Sequence, residues 1–394
     1  MAHGNKIFAL GILAFTTILH TFAVAQQSPG PVDGTYVKEI GECAQLKPRS
    51  SPPAGPHDLR PDDIKVVAAL GDSIMAGFAL EGVNDGKGGS GLLNASSITE
   101  YRGQSWGIGG DDGAVTLANM VSHYNASVEG RSQGSHLATI CYADLCLDQF
   151  RNEEKDVLNG ALSGGIAMNL KDELDYLIPR MKELPGINFE TDWKMITIQI
   201  GSNDQCASCN NPFSDEVTTE KFGGYMDETI QRIKDEIPRV LVNVVGSFNV
   251  SVVYDLTFGQ EYCRPILEQP NFLINRAECP CFLDGKKENR DQMDRLAVGY
   301  NDKILEIYNK YKGQENDNFA MRFTPPLIDI GSFPLEVMSN MDCFHPGKLA
   351  HQWVAKLAWN TLYMGWESYP TENYKYDADL KVFCPTEEDR IRVN

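Results

Sequence analysis

From residue 64 onward, short unbroken apolar runs alternate with longer stretches whose apolar residues recur at helical spacing. Lys65–Leu70, Met195–Ile200 and Val240–Val245 have strand length, and each stops at a glycine, Gly71, Gly201 and Gly246. Runs of this kind are strands buried on both faces of a sheet. Leu327–Ile330 reads as a late strand and Asp156–Leu158 as a short one. Leu170, Leu174, Leu177, Ile178 and Met181 mark an amphipathic helix; Met293, Leu296, Tyr300, Ile304, Ile307 and Tyr311 mark a second; Leu349, Trp353 and Leu357 mark a third. Strands alternating with helices predict an α/β fold with a mostly parallel sheet covered on both faces. No internal repeat is visible.

The flanking segments follow other patterns. Residues 26–63 carry Pro31, Pro48, Pro52, Pro53, Pro56 and Pro61, and read as an extended lead-in rather than a folded unit. Residues 81–149 are irregular and rich in Gly, Ser and Asn, a length usual for functional or flexible loops. Ahead of both, Lys6 precedes the apolar run Ile7–Leu19, and Ala23-Val24-Ala25 fits a cleavage site before Gln26. The rival reading, a membrane anchor, needs ~20 apolar residues. The expected organisation is therefore a signal peptide over 1–25, the lead-in over 26–63 and one domain over 64–394, exported and without a stable membrane span.

Charge and cysteines narrow the setting. The net charge of −19 argues against a nucleic-acid partner and against long-range attraction to anionic lipid. Ten cysteines on an exported chain read as up to five disulfides. Cys206 and Cys209 have metal-like spacing, but no second such pair or nearby histidine pair completes a zinc site. Cys43 and Cys384 are placed to tie the ends together, and Cys343 to brace the loop around it. Sequons at Asn94, Asn125 and Asn249 suit a glycosylated surface.

The chemistry lies at strand ends. Ser73 follows the first strand at its carboxyl edge, where open α/β sheets place reactive groups. A hydroxyl becomes a useful nucleophile when an imidazole takes its proton and a carboxylate fixes the imidazole's tautomer. Asp342 and His345, three residues apart before Pro346, supply that pair. Gly164 and Asn203 also follow apolar runs. With the Ser73 backbone N–H, the Gly164 N–H and the Asn203 side-chain amide could hold the oxygen on which negative charge develops. Each element alone is commonplace: Asn203 suits a turn, Asp342 a helix cap and His345 a surface.

Together these blocks resemble the GDSL or SGNH hydrolases, whose four blocks carry Ser, Gly, Asn and His. The matching stretches are Gly71-Asp72-Ser73, Asn159 to Gly164, Gly201-Ser202-Asn203-Asp204, and Asp342-Cys343-Phe344-His345. The phospholipase B-like branch is the nearer likeness, through Tyr101-Arg102-Gly103-Gln104-Ser105-Trp106, Ile108-Gly109-Gly110, Thr116-Leu117-Ala118-Asn119, Asp192 to Thr197 and Cys384-Pro385. The resemblance spans about residues 64–386. It implies the three-layer α/β/α SGNH-hydrolase (flavodoxin-like) fold, with Ser73 as nucleophile, His345 as base, Asp342 as its orienter, and Gly164 and Asn203 as oxyanion donors. That branch often has tandem copies and a carboxyl-terminal anchor. This sequence has one copy and ends in polar Arg390-Ile391-Arg392-Val393-Asn394. Gly160 and Gly165 stand where the family pattern suggests bulkier residues.

Three decoys are set aside. Gly130-Arg131-Ser132-Gln133-Gly134 matches G-x-S-x-G but follows a polar stretch instead of a buried strand. Gly86 to Gly91 matches G-x-G-x-x-G with neither strand before nor helix after. Asp111-Asp112 has too few companions for a cation, and Asp72 reads as a turn residue. The expected activity is hydrolysis of fatty acyl esters of phospholipids or lysophospholipids, with transient contact with lipid aggregates and no metal or organic cofactor. Protein partners are not indicated. Alternatives are another ester (triacylglycerol, wax or acetylated carbohydrate) and an inactive lipid-binding protein. Loops 81–149 and 250–290 are the expected acyl-binding walls, and activity is expected to fall as His345 protonates near or below ~6.5.

Overall fold

The computed structural model describes Met1 and residues 29–83, 98–147, 150–209, 212–260, 262–263 and 274–393. The expected leader and the Asn94 sequon lie outside the described residues, as does the Gly86–Gly91 stretch.

Four parallel strands form the central sheet: β2 (Ile64–Gly71), β3 (Trp193–Gln199), β4 (Val240–Val245) and β5 (Phe319–Thr324), in that spatial order. β1 (Thr35–Val37) lies apart and pairs antiparallel with β6 (Val382–Cys384). Register aligns Gly71 with Gln199, Thr197 with Asn243, and Asn243 with Arg322. Two expected strands differ. Leu327–Ile330 contributes only a single bridge, Ile328 to Tyr374, and the sheet is completed by Phe319–Thr324. Asp156–Leu158 is the end of a helical turn and not a strand; this segment runs beside β2 only from there on, with a bridge between Ala69 and Asn159.

Side chains alternate across the sheet, and helices cover both faces, the three-layer arrangement expected. Leu70, Ile198, Val244 and Phe323 pack against helices at Leu170–Glu183, Thr219–Glu236 and Lys287–Lys312. Val67, Ala69, Met195 and Leu241 face helices at Leu117–Tyr124 and Lys348–Thr361, with Trp106 and Trp359 between them. Thr116 caps the first of these by accepting the Asn119 N–H at 3.0 Å. Burial of such runs, at ~25 cal/mol per Å² of apolar area, is the main force holding the layers together.

The proline-rich segment is fastened to the domain at both levels. β1 pairs with β6, and Cys43 is bonded to Cys384. Leu59 and Ile64 are fully buried in the same cluster. The remaining disulfides are Cys141–Cys146, Cys206–Cys279, Cys209–Cys281 and Cys263–Cys343. Cys206 and Cys209 thus each hold a different cysteine of one short turn. Among the described residues, no helix is long and apolar enough to cross a membrane.

Candidate active site

Ser73 begins a one-turn helix, Ser73–Ala76, directly after β2. The turn is tight because Gly71 has φ +155°, and a Cβ there would overlap the Gln199 carbonyl oxygen of the adjacent strand. Asp72 caps the helix by accepting the Ile74 N–H at 3.0 Å. Its carboxyl is raised to about 6 by burial, against the Ile74 N–H and the His345 charge, which favour ionisation.

His345 reaches Ser73 from the far end of the chain. Its Nε2 lies 2.7 Å from Ser73 Oγ, and its Nδ1 lies 2.7 Å from Asp342 Oδ2. All three residues are buried. Asp342 Oδ1 also accepts the Phe344 and His345 backbone N–H groups at 2.9 and 3.0 Å, which curls the loop so that carboxylate and ring meet. Cys343 takes φ +52° inside this curl and is bonded to Cys263. Phe78 packs on the ring with centroids 4.8 Å apart. Donation from Nδ1 to the carboxylate leaves Nε2 as the acceptor for the serine proton, the tautomer a general base needs.

Glu278 is a component that sequence reasoning missed. Its carboxyl, the Asp342 carboxylate and the His345 ring have atoms within 4.8 Å of one another. Glu278 Oε2 is shielded from solvent and has no hydrogen-bond partner. Desolvation, then repulsion from Asp342, raises the Glu278 carboxyl. Burial pulls the His345 imidazole down, but Asp342, Glu278 and Asp72 together outweigh it and raise the ring to about 9. Protonation of His345 is therefore centred alkaline of the ~6.5 that the sequence suggests.

The other two expected donors arrive beside β2. Gly160 N–H and Leu162 N–H bond to the carbonyls of Ala69 and Gly71, at 2.8 and 3.0 Å, so the segment carrying Gly164 runs alongside the strand carrying Ser73. Gly164 has φ +84°, and a Cβ there would lie 2.7 Å from the Cys141 carbonyl oxygen. On the opposite side, β3 is followed by a short helix, Ser202–Ala207, and Asn203 in its first turn donates from Nδ2 to the Gly165 carbonyl at 3.0 Å. Asn203 and the Gly164 turn are thus brought together across the carboxyl edge of β2.

A buried ion cluster holds that turn. Arg102 Nη2 donates to Glu100 Oε2 at 2.6 Å and to the Ala161 carbonyl at 3.0 Å, while its Nε lies 3.3 Å from Asp156 Oδ1. Ser163 Oγ donates to Glu100 Oε1 at 2.5 Å, and His136 Nε2 lies 2.7 Å from Asp156. Burial lowers the Arg102 guanidinium, but Glu100 and Asp156 more than restore it, leaving a net rise. The stretch Tyr101 to Trp106 thereby acts through Arg102, a role that its spacing alone does not reveal.

The decoys are structural. Ser132 is buried and donates to the Arg102 carbonyl at 2.7 Å. Asp111 Oδ1 accepts the Gly134 N–H at 2.7 Å, as a turn residue does. Asn249 is exposed, but Asn125 is buried and its Nδ2, the atom an N-glycan would need, donates to the Ile64 carbonyl at 2.6 Å.

A cavity opens beside Ser73 and His345, between the sheet and the helix Lys348–Thr361. Phe248, Leu327, Phe333, Met338, Phe344 and Leu357 give it an apolar wall. Among the described residues, the expected loops contribute only Trp106, Val250 and Val253; the wall comes mainly from residues 324–346 and the last long helix. A nucleophile, a base and amide donors beside an apolar recess suit transfer of an apolar acyl group.

Comparison with known proteins points the same way. The profile of the family described as GDSL-like Lipase/Acylhydrolase matches residues 67–358. The chain is 30% identical over 359 residues to phospholipase B1, membrane-associated, of Mus musculus, covering 88% of this chain and 22% of that protein. It is 28% identical over 360 residues to the Homo sapiens protein of the same name, covering 88% and 23%. The chain thus spans less than a quarter of the length of these relatives. Among solved structures, a GDSL-like lipase of Parabacteroides merdae is similar at 13% identity and a TM-score of 0.37, with 75% of this chain and 94% of that one covered. With a profile that takes in the Ser73, Gly164, Asn203 and His345 blocks, the chain belongs to the GDSL-like lipase/acylhydrolase family.

Proposed function

We propose that the protein is a secreted serine esterase that hydrolyses fatty acyl esters of phospholipids or lysophospholipids. The observation that carries this reading is the 2.7 Å contact of Ser73 Oγ with His345 Nε2 at the mouth of an apolar cavity. His345 takes the serine proton as Oγ attacks the acyl carbonyl. The backbone N–H groups of Ser73 and Gly164 and the Asn203 amide stabilise the oxyanion. Collapse of the tetrahedral intermediate breaks the ester C–O bond, and His345 gives its proton to the departing alcohol, leaving an acyl-enzyme on Ser73. Water then gives a proton to His345, attacks the acyl carbon and releases the carboxylic acid, returning the proton to Ser73. None of these steps calls for a metal or organic cofactor.

The cavity's apolar wall favours an acyl chain over an acetyl group, and the relatives' name supports a phospholipid source for it. Five disulfides and the apolar leader support export into an oxidising compartment. The exposed sequon at Asn249 is the preferred glycan site of those described, and contact with lipid aggregates is transient.

Two measurements test the reading. A fluorophosphonate should label the wild type and fail on Ser73→Ala, while Ser132→Ala still labels. Incubation with a mixed-chain phosphatidylcholine and with lysophosphatidylcholine should release free fatty acid. A folded protein that neither labels nor releases acid is a binder, and the esterase reading fails.

A further inference from the structure

The sheet side of the cavity is polar, and nothing in ester hydrolysis uses it. Arg322, Asn243 and Thr197 form an in-register row on β5, β4 and β3. Arg322 Nη1 donates to Asn243 Oδ1 at 2.8 Å, and Asn243 Nδ2 donates to Thr197 Oγ1 at 3.3 Å. One step nearer the carboxyl edge, Gln199 and Thr324 also line the cavity. Gln199 is 3% exposed and Thr324 is 6% exposed, yet neither amide atom of Gln199 nor the Thr324 hydroxyl has a hydrogen-bond partner.

Leaving such groups buried and unpaired costs about 1–3 kcal/mol each, so they are normally satisfied. The guanidinium makes the case sharper. Arg322 is 1% exposed, and its described partners are the carbonyls of Arg392 and Thr361, the Asn243 amide oxygen and the Tyr369 hydroxyl. No carboxylate within ion-pair distance accompanies it among the described residues. Buried charges are ordinarily paired. Here a cation stands at the cavity without a counter-ion, flanked by two unused donors.

We infer that the cavity accepts an acyl group of medium length whose far end is a carboxylate, held by Gln199, Thr324 and the field of Arg322. This rests on the esterase reading above and narrows its substrate. Gln199 on β3 and Thr324 on β5 stand on either side of β4, which lies two inter-strand steps from β2, the strand that leads into Ser73, ~10 Å at ~4.8 Å each. An acyl chain bound to Ser73 can cross that span along the apolar wall and present its terminal group to the row. A methyl end leaves the donors unpaired, whereas a carboxylate satisfies both and supplies the missing negative charge.

The test compares nitrophenyl esters of three nine-carbon acyl groups that differ only at the far end: nonanoyl (methyl), its terminal-hydroxy analogue, and azelaoyl (carboxylate). All are used below their aggregation concentrations. The expected result is a kcat/KM for the azelaoyl ester at least about tenfold above that for nonanoyl. In Gln199→Leu/Thr324→Val the ratio should collapse towards one, with folding checked by thermal melting and labelling of Ser73. Equal rates on all three tails, or preference for the methyl or hydroxy tail, overturn the anionic-tail assignment while leaving the esterase in place. Failure to hydrolyse any of them, together with no fluorophosphonate labelling, removes the esterase reading itself.

Discussion

Glu278 and Asp342 bring two carboxyl groups to one imidazole, with atoms of all three groups within 4.8 Å of one another. The second carboxyl has an unpartnered, solvent-shielded oxygen, so once ionised its charge acts on His345 with little screening. Nearby negative charge stabilises imidazolium, and the base is active only when neutral. The acidic limb of kcat/KM should therefore have its midpoint above the ~6.5 of an ordinary imidazole. Glu278→Gln should move it to lower pH, because it removes one of the charges that raise the ring. A pH profile with a midpoint at or below ~6.5 in both proteins would mean that burial outweighs the carboxylates.

Some of this site is readable from sequence, for physical reasons. β2 and β3 are buried along nearly their whole length, so their apolar runs are close to continuous, and Ser73 and Asn203 follow just where those runs stop. β5 escapes because Arg322 interrupts its apolar pattern, which makes Leu327–Ile330 look like the better strand. The Asp342–His345 pair is local in sequence and visible. Glu278 is not, since it reaches the pair through a fold that disulfides at Cys279 and Cys281 help fix. Arg102 is conspicuous in sequence, but its partners Glu100, Asp156 and Ala161 are chosen by the tertiary structure.

The Gly164 turn and Asn203 act as a unit through the bond from Asn203 Nδ2 to Gly165. Asn203→Ala removes a donor and should lower kcat ~10²–10³-fold with a smaller change in KM. Gly164→Ala places a Cβ at 2.7 Å from the Cys141 carbonyl oxygen in a left-handed backbone, so the turn must shift. Its kcat should fall by a similar factor while Ser73 keeps its contact with His345. Steady-state kinetics on one soluble ester checks both; an unchanged kcat in either variant takes that residue out of the oxyanion role.

Arg102 supports the same turn from behind, fully buried between Glu100 and Asp156. Arg102→Met keeps much of the volume but takes the guanidinium from two buried carboxylates, leaving Glu100 with Ser163 and Thr139 and Asp156 with His136. Breaking a buried pair from one side typically costs ~3–5 kcal/mol. Denaturant unfolding should show a loss of that order, and Glu100→Gln/Arg102→Met should recover part of it because one of the two carboxylate charges is gone. A loss below ~1 kcal/mol would show that the cluster contributes no more than exposed pairs do.

Buried acids also set how stability varies with pH. Burial raises Asp72 to about 6, Asp204 to about 7 and Glu278 to about 8, and raises Glu173 as well. Each folded-state value is above that of the unfolded chain, near ~4. The folded protein therefore keeps protons that the unfolded chain has already released, and its stability falls as pH rises through these values. The raised His345 has the same sign: its contribution is complete below ~6.5 and is lost as pH rises through about 9. Opposing this, Asp58 is held near about 2, where Arg390 and Arg49 overcome its desolvation, so its contribution is lost only in strong acid. Calorimetric melting should then give a higher Tm near pH ~5 than near pH ~8. Asp204→Asn should flatten that slope, since it removes a group that must otherwise ionise while buried. A Tm that climbs between these two pH values would show that the acids ionise at ordinary pH through solvent the fold admits.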